Sequence, residues 1–395
     1  MVRYKMVGRD MATPTQHRTW INDTPDLLQQ HFTGLKTTDG YLSELSTYII
    51  LDGYAVLDFN NPTPLSWTHP TRVLPAQITN SQLAIIDGYS YLFGGVGSSK
   101  IYRAELNDPG NWQDTGANLP SILFDSQLAV IDGYIYLFGG DDGYSSKDTI
   151  YSAPTSNPLD WTNHGALLPK AVDSSQLGIL NGNIYLFGGL SSLVPTDVIL
   201  SASISDPLTW INTGNVLPIP LYASQLGLIE GSFYLFGGLT TDDAAVDSIF
   251  SSSGMDPTAW SSVGSLPHAM YYGHFFTMFG KGYLIGPHNP IGLPSRTTLT
   301  SIWSCNLGSP LSWIDTLKTL PGQVSEAQLA IIYDRIFIFG GNASTIIYTC
   351  DYDIKYDFTD PIILYYGDFT RTQYNATPVN DRFALLGFKP WTTSY

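Results

Sequence analysis

The sequence predicts an all-β chain: a seven-bladed β-propeller whose closing blade is shared between the N- and C-terminal ends, with six blades as the alternative count. Three observations carry this reading. A stretch typified by residues 126–140, SQLAVIDGYIYLFGG, recurs almost from end to end, placing a Gln at 82, 127, 176, 225, 328 and 373, with His274 in the one gap. Steps of 45 to 54 residues, each carrying a turn and a glycine pair, mark a radial repeat. Between the copies stand Trp67, Trp112, Trp161, Trp210, Trp260 and Trp313, each three residues after a Pro.

The first 45 residues match no repeat and read as a separate N-terminal arm, ahead of a propeller over residues 46–395. Within the arm, Thr24-Pro25-Asp26 followed by LLQQHF and Gly34 predicts one short helix, with Thr as N-cap, Pro in the first turn and Gly at the stop. In each repeat, two short apolar runs flank a two-residue turn, as Leu128 to Ile131 and Tyr134 to Phe138 flank Asp132-Gly133; this is a tight hairpin. Neither run alternates apolar with polar, so both faces are expected to be covered, as in a blade between two neighbours. The glycine pair lets the backbone turn where a side chain would clash. A β-branched residue eleven positions ahead of each Trp (Val56, Ile101, Ile150, Ile199, Ile249, Ile302) opens a third strand, and a fourth follows the Trp. Residues 54–75 match strands three and four and residues 373–388 match strands one and two, which predicts the shared closing blade. The six-blade alternative places residues 46–75 outside the ring.

This repeat resembles the kelch family, whose signature is a hydrophobic hairpin ending in Gly-Gly followed by a spaced aromatic pair. The double glycine stands at 94–95, 139–140, 188–189, 237–238 and 340–341, and the likeness covers roughly residues 46–388. The family's frequent Arg ahead of the first strand is absent, with Ser-Gln-Leu in its neighbourhood. The resemblance implies the propeller fold, which serves adaptors, adhesins and enzymes alike.

With 18 basic against 34 acidic residues the net charge is −16, and between Glu105 and Gly280 the only cations are Lys147 and Lys170. Phosphates would be repelled, so nucleic acid is excluded as a partner, as is an anionic membrane surface. The longest apolar stretch, around Met270 to Ile285, is interrupted by Gly273, His274, Gly280 and Lys281, so no membrane insertion is expected. MVRYKMVGRD lacks the apolar core of a secretory signal. Cys305 and Cys350 fall at equivalent third-strand positions of adjacent blades and are expected to be free thiols.

No HExxH, GxSxG, phosphate-binding glycine loop, CxxC or calcium-loop pattern is present. The expectation is therefore a non-enzyme without cofactor or metal. Gln82, Gln127, Gln176, Gln225 and Gln328 open their strands on one face and are candidate binding residues, the structural alternative being that each bridges to its neighbour's backbone. The Trp series reads as packing anchors. Symmetry breaks between Pro267 and Pro321, where His274 replaces Gln and Pro287 the second glycine. His268, His274 and His288 there could approach zinc or copper chemistry, but scattered imidazoles in a degenerate blade are the preferred explanation, and no metal is expected. Asp141, Asp142 and Asp148, then Asp242, Asp243 and Asp247, gather in loops and could bond sugar hydroxyls or merely solvate the rim.

The leading functional reading is a non-enzymatic binding or assembly protein. Ser, Thr, Tyr and Asn richness with scarce Lys resembles phage tail components, which points to a virion structural protein, with a cytoplasmic location as the alternative. The first 18 residues carry +3 and leave −19 on the remainder, so the arm is expected to dock, through Trp20, Leu27, Leu28 and Phe32, onto other protein subunits. A surface carbohydrate is a further candidate partner. The alternatives are a carbohydrate-active propeller enzyme such as a sialic-acid mutarotase, whose family is also similar to kelch repeats, and a cellular kelch adaptor, for which no accompanying recruitment domain is visible.

Overall fold

The computed structural model describes residues 72–278, 280–286, 300–333 and 335–351. It also describes the strands Tyr4–Val7, Leu42–Glu44, Tyr48–Leu51, Tyr54–Asp58, Ser66–Thr68, Ile362–Tyr366 and Thr370–Tyr374. The chain divides into two units, Trp67–Asp351 and a second formed by Met1–Ser66 with Tyr352–Tyr395.

The larger unit holds six four-stranded antiparallel blades, so the alternative count is the one observed. Blade one runs Gln82–Ile86, Tyr89–Phe93, Lys100–Glu105 and Gln113–Asn118; blades two to five repeat this order from Gln127, Gln176, Gln225 and His274. Blade six takes three strands from Gln328–Ile332, Arg335–Phe339 and Ile347–Asp351 and its outer strand from Ser66–Thr68. A blade is thus shared between the ends, but its composition differs from the expected one. Thr370–Tyr374, which carries Gln373, pairs instead with Ile362–Tyr366 in a three-stranded sheet with Tyr4–Val7. Tyr54–Asp58 likewise pairs with Tyr48–Leu51 in another three-stranded sheet. Short apolar runs separated by a turn look alike in any antiparallel pair, and no Gly-Gly follows Gln373 to distinguish a blade. The expected helix at residues 24–34 lies outside the described residues.

The repeated residues each answer a backbone requirement. At the hairpin turns Asp132 (φ 45°) and Gly133 (φ 80°) are both left-handed, the geometry that matches strand twist. The glycine pair is fixed by the connector leading into the next blade. A Cβ on Gly188 would lie 2.3 Å from the Leu221 carbonyl oxygen, while the Gly189 amide donates to that same oxygen at 2.8 Å. The equivalent bonds run from Gly95 to Leu123, Gly140 to Val172, Gly238 to Met270 and Gly341 to Ile78, at 2.7 to 2.9 Å. The residue ahead of the blade Gln is small, Ser in blades one to four and Ala327 in blade six, and packs on the same glycines: a Cβ on Gly140 would come within 2.8 Å of the Ser126 Cβ, and one on Gly341 within 2.7 Å of the Ala327 Cβ.

The tryptophans stitch blades together. Trp161 meets Phe93 edge-on at 5.1 Å between ring centroids, Trp210 meets Phe138 at 5.0 Å, and Trp260 meets Phe187 at 4.9 Å. Trp112 meets Phe339 at 4.9 Å across the closure between blades six and one. Aromatic pairs of this geometry add about 0.5–1.5 kcal/mol beyond their buried area. The Pro three residues earlier also has a role, since the Pro158 and Pro207 carbonyls accept the Trp161 and Trp210 indole N–H at 3.0 and 2.8 Å. Core clusters accordingly straddle two blades, as Ile131 and Ile150 pack with Leu186, Leu200 and Trp210. Cys305 and Cys350 are both buried, and no disulfide joins them.

Candidate functional site at the channel mouth

The first strands of consecutive blades neighbour one another around a common axis. At the end where they begin lies a cavity of about 210 Å³ lined by three consecutive residues from every blade. The third of each trio is the Gln or His of the repeat and the second is small. The first is Asn80, Asp125, Ser174, Ala223, Tyr272 and Glu326 in turn, all left-handed with φ between 50° and 59°. Non-glycine residues pay roughly 1–2 kcal/mol for this conformation, and backbone bonds running from blade to blade enforce it. Asp125 N–H donates to the Asn80 carbonyl, Ser174 to Asp125, Ala223 to Ser174, Tyr272 to Ala223 and Asn80 to Glu326, at 2.9 to 3.2 Å. The backbone is therefore near-symmetric at the mouth while the side chains it projects differ in every blade.

These first residues were not singled out in the sequence, although one signal was available. Two positions before each Gln, between an apolar connector and the small residue, the repeat shows a different chemistry each time.

The glutamines divide between the two expected roles. Gln127 Oε1 accepts the Leu177 N–H of the next blade at 3.2 Å, and Gln328 Nε2 donates to the Ser81 carbonyl across the closure at 2.7 Å. Gln225 Nε2 donates to its own neighbour, the Ser224 carbonyl, at 2.9 Å. Among the described residues the side-chain amides of Gln82 and Gln176 have no hydrogen-bond partner, which leaves two amides at the cavity uncommitted.

His274 resolves into a structural substitution. Its Nε2 lies 3.2 Å from the Val324 carbonyl oxygen, the connector oxygen equivalent to Leu221 in blade three. Elsewhere the second glycine's amide fills that role; Pro287 stands at that place in the sequence and has no N–H to give. A carbonyl partner fixes the Nε2–H tautomer, and burial lowers the His274 pKa to about 4 against the pull of Val324, so the ring is neutral near pH 7. His268 is exposed and lies tilted against Trp303 with ring centroids 5.8 Å apart, and His288 lies outside the described residues. No trio of His, Cys, Asp or Glu side chains able to hold a metal comes together among the described residues.

The loop aspartates serve mainly their own turns. Asp141 Oδ1 accepts the Gly143 N–H at 2.5 Å; Asp142 Oδ1 accepts those of Tyr144 and Ser145 at 3.0 and 3.1 Å and pairs with Lys147. Asp243 accepts the Tyr222 hydroxyl, and Asp242 sits left-handed in a single turn of 3-10 helix, Thr241–Asp243. Trp20, Leu27, Leu28 and Phe32 lie outside the described residues.

Around the mouth the carboxyls are perturbed in one direction. Burial, then the charges of Asp173, Glu326 and Asp141, pushes Asp125 well above the usual carboxylate range, against one hydrogen bond from Asn80 Nδ2 at 3.0 Å. The accessible surface of Asp125 faces the narrow cavity, so partial exposure does not restore bulk solvation. Burial also raises Glu326, and burial with the nearby Asp125 and Glu326 charges holds Tyr272 well above its ordinary value. Beside the cavity, burial raises Asp173 to about 6 against the Ser146 hydroxyl, which donates to Oδ2 at 2.6 Å.

Asp173 yields a stability prediction. Its folded pKa exceeds the ordinary 3.8, so the folded chain binds the proton more tightly than the unfolded chain. Its contribution is most favourable below about pH 4 and is lost as pH rises to about 6. A difference of about two pH units corresponds to about 3 kcal/mol. Asp173→Asn keeps an acceptor for Ser146 without the charge. Urea unfolding should find the variant more stable than the parent at pH 8, by about 1–3 kcal/mol, and nearly equal at pH 4.

Among solved structures, the chain matches one titled "Structure of YjhT" with a TM-score of 0.59 over 77% of this chain and 99% of that one. The likeness is one of fold. At 14% identity it extends no further. No protein-family model and no curated protein matches the chain.

Proposed function

We propose that this chain is a non-enzymatic binding protein of a larger assembly, a virion component of the phage-tail type, that attaches through its terminal segments and presents the propeller. The observation that supports it most is the pairing of Tyr4–Val7 with Ile362–Tyr366. Segments from both ends of the chain enter one unit, and the propeller is an insert between them. The +3 charge of the first 18 residues favours an acidic partner surface, and Trp20, Leu27, Leu28 and Phe32 supply apolar anchors worth on the order of 1.5–3 kcal/mol each if buried. The partners are other protein subunits of that assembly.

Deleting residues 1–45 spares the blade-closing strand Ser66–Thr68. The truncated chain should keep the propeller's own melting transition but fail to co-sediment with the assembly it belongs to. Retained assembly would place the interface outside residues 1–45 and overturn docking through the arm.

A carbohydrate-active propeller enzyme is the second reading, favoured by Asp125, Glu326 and Tyr272 at one cavity. Carboxyls with raised pKa keep a proton to higher pH than ordinary ones, which suits them to proton transfer. Within this reading a sugar acid such as sialic acid suits the site poorly, because no Lys or Arg lines the cavity to balance its charge.

A further inference from the structure

We propose that the channel mouth binds a single ring of a neutral sugar through its hydroxyl groups. The proposal deepens the reading of a presented propeller by naming what its mouth takes. Four observations carry it. The cavity is small, about 210 Å³, below the roughly 300–1,000 Å³ of pockets for drug-sized ligands. Its walls are polar, and the variable first residues put an amide, two carboxyls and a phenol around it in Asn80, Asp125, Glu326 and Tyr272. Hydrogen-bonding capacity is left unspent there. The side-chain amides of Gln82 and Gln176 have no partner, and the Ser81 hydroxyl, 1% exposed at the cavity wall, has none either. Finally, no Lys or Arg lines the cavity, so an anion would go unpaired there, whereas neutral hydroxyls can be met by its amides and hydroxyls.

The Gln82, Gln176 and Asn80 amides each offer a donor beside an acceptor, and the Asp125 and Glu326 carboxyls add acceptors, the pattern that vicinal hydroxyls need.

The test is calorimetric titration of the intact chain at pH 7 with glucose, galactose, mannose and N-acetylglucosamine, alongside sialic acid, spermidine and calcium chloride. At least one neutral sugar should bind with 1:1 saturation while the charged probes do not. Gln176→Ala removes an amide that bonds to nothing in the fold, so it should weaken that binding about tenfold at unchanged melting temperature; Tyr272→Phe should weaken it similarly. Preference for a charged probe, no binding by any neutral sugar, or unchanged affinity in both variants would overturn the proposal. The assembly measurement on the chain lacking residues 1–45 is independent, so either reading can fail alone.

Discussion

A chain lacking residues 1–75 should lose the cooperative unfolding transition of the propeller, although the strands of blades one to five all remain. The reason is the origin of the closing strand. Ser66–Thr68 forms the outer edge of blade six, and just beyond it Leu74, 2% exposed, donates its N–H to the Thr345 carbonyl at 2.8 Å. Deletion uncovers Tyr348 and Cys350 on the third strand and removes Leu74 from a cluster that includes Trp112, Phe339 and Ile347. A large apolar side chain contributes about 1.5–3 kcal/mol and each ladder bond about 0.5–1.5 kcal/mol, so the loss is on the order of 5 kcal/mol or more. Against a typical total of roughly 5–15 kcal/mol, that is enough to unfold the unit at physiological temperature. Thermal unfolding followed by tryptophan fluorescence would show it. A transition within about 2 °C of the parent would mean that Ser66–Thr68 does not close the ring.

Gly188→Ala is expected to cost about 2–5 kcal/mol. The residue sits at φ +60°, where an alanine pays roughly 1–2 kcal/mol, and its Cβ would lie 2.3 Å from the Leu221 carbonyl oxygen and 3.2 Å from that of Thr196. Both are backbone atoms, so the connector itself must move, with a packing penalty of about 1–3 kcal/mol. Gly116 provides the control, since it has φ +77° but nothing within 4 Å of the place an alanine methyl would take. Gly116→Ala should cost only the conformational part. Equal urea midpoints for the two variants would show that the connector does not approach the glycine pair so closely.

The fold was legible because each repeated residue does one local job that recurs in every blade. Asp132-Gly133 turns a hairpin, Gly188-Gly189 admits a connector, and Trp161 caps Phe93 of the preceding blade. The blade count was less legible. The segments around Val56 and Gln373 carry turn-flanked apolar runs that serve other sheets, while Trp67 was read as a strand-four residue but joins the blade of Gln328 rather than one begun at Gln373. The channel-mouth residues escaped notice for the opposite reason. A repeat is found through what stays the same, and Asp125, Tyr272 and Glu326 occupy the position that changes. His274 and Pro287 were visible as separate departures, but only the shared Val324 carbonyl explains why both occur in one blade.

The most direct measurement is an experimental density map of the intact chain viewed down the propeller axis. It should show six blades, with Ser66–Thr68 hydrogen-bonded to Ile347–Asp351 and the Trp112 ring edge-on to Phe339 across the closure. A seventh blade built from residues 54–75 and 373–388 would contradict the account, because the ring of left-handed residues from Asn80 to Glu326 could then no longer close from Glu326 to Asn80.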